Sequence, residues 1–170
     1  MKKRFILVFL FYMLANALSA DTFYKLCPGI YLGGGLPAQD YIKDKAFLDI
    51  VTIGADIQLG YEFNLLNIIT LGAYANVGFD TGLPNKPNLY YGVIGELLWG
   101  GNLLKYGIAL GGGYNTNVDI SIYNQESAYF RFALPVVFLG LLKTSLCYDL
   151  YPEIGSRLGL LVHLSGGIPR

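Results

Sequence analysis

Residues 48–63 read LDIVTIGADIQLGYEF, two interleaved lists of unlike character. Val51, Ile53, Ala55, Ile57, Leu59, Tyr61 and Phe63 are all apolar. Ile50, Thr52, Gly54, Asp56, Gln58, Gly60 and Glu62 carry the polar residues and the glycines. A strict period of two is the mark of a β-strand with two different faces. The fold turns on which face looks inward.

Composition bears on that choice. The 170 residues suit one domain, yet 54% are hydrophobic and only 14% charged, well below the rough quarter of charged residues in soluble domains. So few charges cannot furnish a water-facing surface of ordinary size. A spanning helix is not the alternative, because past the N-terminus the longest apolar run is about Phe132–Leu142, short of the roughly 20 residues a bilayer helix needs. The first 20 residues, with Lys2, Lys3 and Arg4 ahead of an apolar stretch and small residues, read as a secretory signal peptide. Cleavage is expected after Ala20, with Ala15-Asn16-Ala17 as the alternative site. The mature chain, 21–170, then holds nine basic against 12 acidic residues. With no basic run or face it is not a nucleic-acid binder. Cys27 and Cys147 are too few for a disulfide scaffold, and Tyr24-Lys25-Leu26 lacks the small residues that precede a lipid-modified cysteine.

The turn signals repeat. Asn64-Leu65-Leu66, Asn102-Leu103-Leu104 and Gly140-Leu141-Leu142 recur every 38 residues. Four such units, each long enough for two strands, predict eight strands near 25–35, 49–63, 68–79, 89–100, 105–115, 128–139, 144–154 and 156–165. The others repeat the two-faced pattern, as where Phe130, Phe132, Leu134 and Val136 alternate with Tyr129, Arg131 and Ala133. Pro28 and Pro135 fall inside strands, where each removes a ladder donor and predicts a bulge or a frayed position. Connections at 64–67, 101–104 and 140–143 are tight, while those at 36–48, 80–88 and 116–127 are long. Short turns on one side and long loops on the other match transmembrane barrels.

A soluble sandwich or lipocalin-like barrel would put the apolar list inside and dress the other face in Lys, Glu, Thr and Ser. The second list is instead rich in glycine, which weakens a strand unless the space it leaves is needed. A narrow eight-stranded lumen needs it. Gly33, Gly54, Gly72, Gly92, Gly107, Gly111 and Gly159 are expected to make room for Tyr31, Tyr74, Tyr90, Tyr129 and Tyr151. The apolar list then faces lipid. Tyr61, Phe63, Trp99, Tyr106 and Phe138 form one outer belt near the short turns, and Phe79, Tyr91, Tyr114 and Phe130 a second near the long loops, as interfacial girdles do.

With these features the chain resembles the small eight-stranded outer-membrane barrels of the OmpA, OmpX and OmpW kind. The sharpest motif is Arg157-Leu158-Gly159-Leu160-Leu161-Val162-His163-Leu164, where Arg157, Gly159, Val162 and Leu164 take the places of the family's assembly signal. Family members end on an aromatic residue there, whereas this chain continues through SGGIPR. The resemblance implies an all-β, closed, antiparallel up-and-down transmembrane barrel in the bacterial outer membrane. It also implies outer-membrane lipid and the barrel-assembly machinery as partners.

The inward list carries charges of both signs. Asp56, Glu62, Glu96, Lys105, Arg131, Asp149, Glu153 and Arg157 form the expected lumen network, joined by Lys25. Buried charges must be paired, and Arg131–Asp149 and Glu153–Arg157 are the expected pairs. The nearly balanced set predicts a plug, whereas a selective pore would favour a ring of one sign. The alternative is a small channel for polar or apolar solutes. His163-Leu164-Ser165 has the H-x-S spacing of lipid A deacylases, but no acidic residue follows to orient the histidine, so no enzyme is expected. No cofactor or metal motif is present. A monomer with a structural or surface-interaction role is the expectation, with Tyr41, Lys43, Lys45, Lys86, Tyr123 and Glu126 as loop contacts for an extracellular ligand.

Overall fold

The computed structural model describes residues 22–37, 51–65, 68–81, 88–117, 126–152 and 155–169. Strands β1 (Thr22–Pro37), β2 (Val51–Leu65), β3 (Ile69–Asp80), β4 (Asn88–Gly100), β5 (Leu104–Asn117), β6 (Glu126–Phe138), β7 (Leu142–Tyr151) and β8 (Gly155–Leu164) each pair antiparallel with the next. Pairing of β8 with β1 closes the barrel. A short β9 (Gly166–Pro169) lies on the first residues of β1. The eight-stranded closed barrel is therefore the fold.

The registers fix its shape. Partners followed around the wall run Tyr24, Tyr61, Ala73, Gly95, Leu110, Phe132, Tyr148, Leu158 and then Gly34, ten residues further along β1. That stagger tilts the strands by roughly 40° in a barrel of eight and leaves an interior just wide enough for side chains.

The opening question is answered by exposure. In β2 Ile53, Ile57 and Leu59 are each more than half exposed, while Asp56 and Gln58 are 1% and 2% exposed. The same alternation runs through the other strands, so the apolar list looks out and the polar list in. Both aromatic belts lie on the outer wall, with Trp99 edge-on to Tyr106 at 5.7 Å near the short turns and Tyr91 6.1 Å from Tyr114 at the other end.

The prolines interrupt pairing without a bulge. β5 and β6 lose their pairs between Tyr106↔Val136 and Ala109↔Ala133, beside Pro135, and resume in the same register. Opposite Pro28, pairing with β1 lapses at Leu164 and Ser165, and β9 continues the β8 register. The extension past the eighth strand is thus a continuation of that strand beyond a missing donor. Ser165 turns its N–H to Leu141 O at 2.6 Å.

The glycines divide into two sets. A Cβ on Gly33 or Gly159 would overlap the Tyr31 ring, and one on Gly72 the Tyr74 ring, as the space argument expects; Gly78 plays this part for Tyr90. At Gly54, Gly92 and Gly107 the first obstacle is instead the backbone of the next strand, and at Gly111 it is Val93 O followed by Ile94. Those positions correct the expectation: they let a tightly curved sheet close on itself. The β6–β7 turn needs a different freedom, with φ of 52° at Leu139 and 66° at Gly140 and Leu141 N–H bonded to Phe138 O. Two successive positive φ values suit the twist of a tight hairpin.

Candidate functional site

The lumen holds two charged clusters, one towards each end. At the long-loop end, Arg131 donates from Nε and Nη2 to the two oxygens of Asp149 at 2.6 and 2.9 Å. The adjacent register Arg131↔Asp149 sets this two-pronged bond, which suits the planar guanidinium. Arg157 donates to Asp80 at 2.5 Å and to Asp149 at 3.1 Å. Four tyrosines surround the two arginines. Arg157 stands 4.5 Å from the Tyr31 ring and 5.4 Å from Tyr151, and Arg131 lies 5.2 Å from Tyr90 and 5.5 Å from Tyr129. Desolvated cations over tyrosine faces gain further electrostatic support.

At the short-turn end, Lys143 donates to Glu96 at 2.8 Å and Gln58 at 2.6 Å and sits 4.4 Å from the Tyr74 ring. The Tyr74 hydroxyl donates to Glu62 at 2.5 Å, and Lys25 lies 3.6 Å from the other Glu62 oxygen while bonding Ser165 at 3.1 Å. Lys105 donates to Thr70 at 2.8 Å and Asn64 at 3.2 Å. Between the clusters, one side of the lumen is filled by Tyr31, Ile94, Ala109, Ala133, Cys147 and Leu161.

Asp56 meets His163 at 2.7 Å across β1. Both pair in register with Gly29, which has no side chain to separate them. The expectation that no acid orients His163 is therefore corrected: the acid comes from β2. The Ser165 hydroxyl oxygen accepts from Lys25 Nζ at 3.1 Å.

Of the expected network, Asp56, Glu62, Glu96, Lys105, Arg131, Asp149 and Arg157 all face the lumen. Arg131 and Asp149 form the anticipated pair. Glu153 lies outside the described residues, and Arg157 is held by Asp80 and Asp149. Sequence reading missed Asp80, assigned to a loop, and Lys143, assigned to a tight turn. The strand alternation, extended by one step at the ends of β3 and β7, would have found both. Among the described residues, five carboxylates (Asp56, Glu62, Asp80, Glu96, Asp149) meet five cations (Lys25, Lys105, Arg131, Lys143, Arg157) and one histidine. Cys27 and Cys147 are free and buried, Cys147 within the central apolar cluster. Tyr41, Lys43, Lys45, Lys86 and Tyr123 lie outside the described residues. Glu126 opens β6 opposite Thr116, within the sheet rather than in the loop.

No family model matches the chain, and no curated protein matches it. A solved structure titled "De novo design of transmembrane beta-barrels" is similar at 10% identity, with 84% of this chain and 95% of that chain covered and a TM-score of 0.44.

Proposed function

We propose that the chain is an integral outer-membrane β-barrel, non-enzymatic, with a structural or surface-interaction role and a lumen sealed to ions. One observation carries this reading. Among the described residues, no outward strand position between the two aromatic belts bears a charge, while ten charged side chains and a histidine face the lumen. A continuous apolar ring of this kind far exceeds the few hundred Å² of apolar patch that a soluble monomer exposes. In hydrocarbon it costs nothing, and closure of the sheet satisfies the backbone without water. Aromatic belts at both ends of the wall suit the two interfaces. Outer-membrane placement rests on the leader-like first 20 residues and the alternation of short and long connections. Lipid and the assembly machinery are the partners this implies, and the long connections would meet an extracellular ligand.

The seal rests on the pairing. A hydrated ion would have to part Arg131 from Asp149 and Lys143 from Glu96, which leaves charges buried alone at several kcal/mol each. Single-channel recording of the refolded protein in a planar bilayer tests this. An inserted barrel silent to K⁺ and Cl⁻ supports the plug; discrete reproducible openings overturn it in favour of the small-channel alternative.

A further inference from the structure

Outward-facing residues of β3–β6 leave a hollow of about 1170 Å³ in the apolar wall. Its floor is made of small residues. Ala73 and Gly95 are paired in register. Towards the long loops, Gly112 stands two residues beyond the β5 partner of Gly95, and Ala128 two residues beyond the β6 partner of Gly112. Val93 and Tyr114 rise on one side of this line and Leu110 and Phe130 on the other, each more than half exposed.

Gly95 differs from the glycines that let the sheet curve. A Cβ there would meet nothing nearer than Leu110 O at 3.9 Å, so neither strand pairing nor packing inside the barrel calls for glycine at this point. Glycine within a strand weakens it, and often marks a site that something approaches closely. The space it leaves here opens on the outer surface.

The register sets the direction of the furrow. A line square to the strands climbs ten residues along β1 in one circuit of the wall. With about 4.8 Å between strands and roughly 3.3 Å per residue, the barrel axis climbs about 1.7 residues per strand across this sheet. The floor climbs two residues per strand, which lays it within about 5° of the axis. From Gly95 to Ala128 it runs about 16 Å, close to the ~15 Å of hydrocarbon in one leaflet. Gly95 lies midway along β4 between Tyr91 and Trp99 of the two belts, so the furrow covers the half of the wall nearer the long loops.

From this geometry we propose that the furrow holds one acyl chain of a lipid in the long-loop leaflet and favours a straight, saturated chain. The proposal rests on the membrane reading above, and the furrow is continuous with the wall that this reading places in hydrocarbon. There no hydrophobic force holds a chain against the protein; packing does. A convex wall touches a chain along one line, whereas the furrow touches it on the floor and both sides, and many small dispersion contacts add up. A cis double bond bends the chain out of a straight furrow and forfeits the contacts beyond the bend. A protein partner crossing the membrane would follow the wall over the full ~30 Å, but below Gly95 the line is closed by the exposed side chain of Leu71.

The test uses the full mature chain refolded into vesicles of equal dimyristoyl- and dioleoyl-phosphatidylcholine. Flotation and protection of the strands from trypsin establish insertion; failure at that step overturns the membrane reading. Inserted barrels are then taken into mild detergent, and the lipid they retain is identified by native mass spectrometry. Wild type should keep one phospholipid, the dimyristoyl form over the dioleoyl by about threefold or more. Gly95→Leu and Ala128→Leu, which fill the two ends of the floor, should each cut retention about fivefold or more. Ala55→Leu, an outward position of β2 away from the furrow, should leave it unchanged. A bare wild type, retention without preference for the saturated chain, or filled variants that retain lipid as wild type does would each overturn the proposal. A wild type at twice the monomer mass, with Gly95→Leu monomeric, also overturns it and gives the hollow to a second copy. Either filled variant suffices if the other does not insert.

Discussion

Asp149 is the carboxylate on which the long-loop cluster converges, and removing its charge exposes the energetics of the plug. It is fully buried and accepts three bonds, two from Arg131 and one from Arg157. In Asp149→Asn, Arg157 keeps Asp80 at 2.5 Å, so only Arg131 loses its sole carboxylate contact in the described lumen. One uncompensated buried cation falls at the lower end of the roughly 3–5 kcal/mol for breaking a buried pair. The amide retains the shape of the carboxylate, so little of this cost comes from packing. With a urea slope of about 2 kcal/mol per molar, a loss of ~3 kcal/mol lowers the unfolding midpoint by ~1.5 M. Urea titration of the protein in lipid vesicles, followed by the fluorescence of its single tryptophan Trp99, reads this directly. The double variant Arg131→Gln/Asp149→Asn removes both charges and should recover most of the loss, a coupling that a double-mutant cycle measures. A midpoint for Asp149→Asn within about 0.3 M of wild type, or a double variant no better than the single, would refute the view that pairing governs this cluster.

Three further expectations follow from the geometry. Val93→Lys places a charge at one of the most exposed points of the apolar wall and should cost about 2–4 kcal/mol in a bilayer if it sits near mid-plane; urea titration showing no change would contradict lipid contact there. Gly33→Ala drives a methyl into the Tyr31 ring and should cost about 1–3 kcal/mol, a penalty that shrinks in a Tyr31→Leu background when both are titrated. Cys27 and Cys147 are buried and unpaired, so alkylation followed by mass spectrometry should label both only after unfolding; labelling of the folded barrel would place one of them within solvent reach.

Much of this was legible in the sequence because barrel walls obey a period of two. The alternation in 48–63 and the 38-residue return of Leu-Leu turns are local signals, and they were enough for eight strands and the facing of each side chain. The two prolines were legible as lost donors, but not as gaps that leave the register untouched, since register is set by the whole strand pair. Asp80 and Lys143 were missed where strands outrun their hydrophobic pattern into polar ends. The Asp56–His163 contact was beyond sequence reading, because it joins strands that are not neighbours and depends on Gly29 lying between them. The curvature glycines were likewise misread, as the atoms they avoid belong to another strand's backbone.

The central claim is that the apolar wall lies in hydrocarbon with the charges turned away from it. Trp99→Phe/Val93→Trp moves the single tryptophan to the middle of the β4 outer wall, and quenching by lipids brominated at different acyl positions then reports its depth. The account predicts strongest quenching by bromines deep in the acyl chains, against shallow quenching for Trp99 in the wild type. Equal, weak quenching of both by every lipid would contradict it and place this face in water.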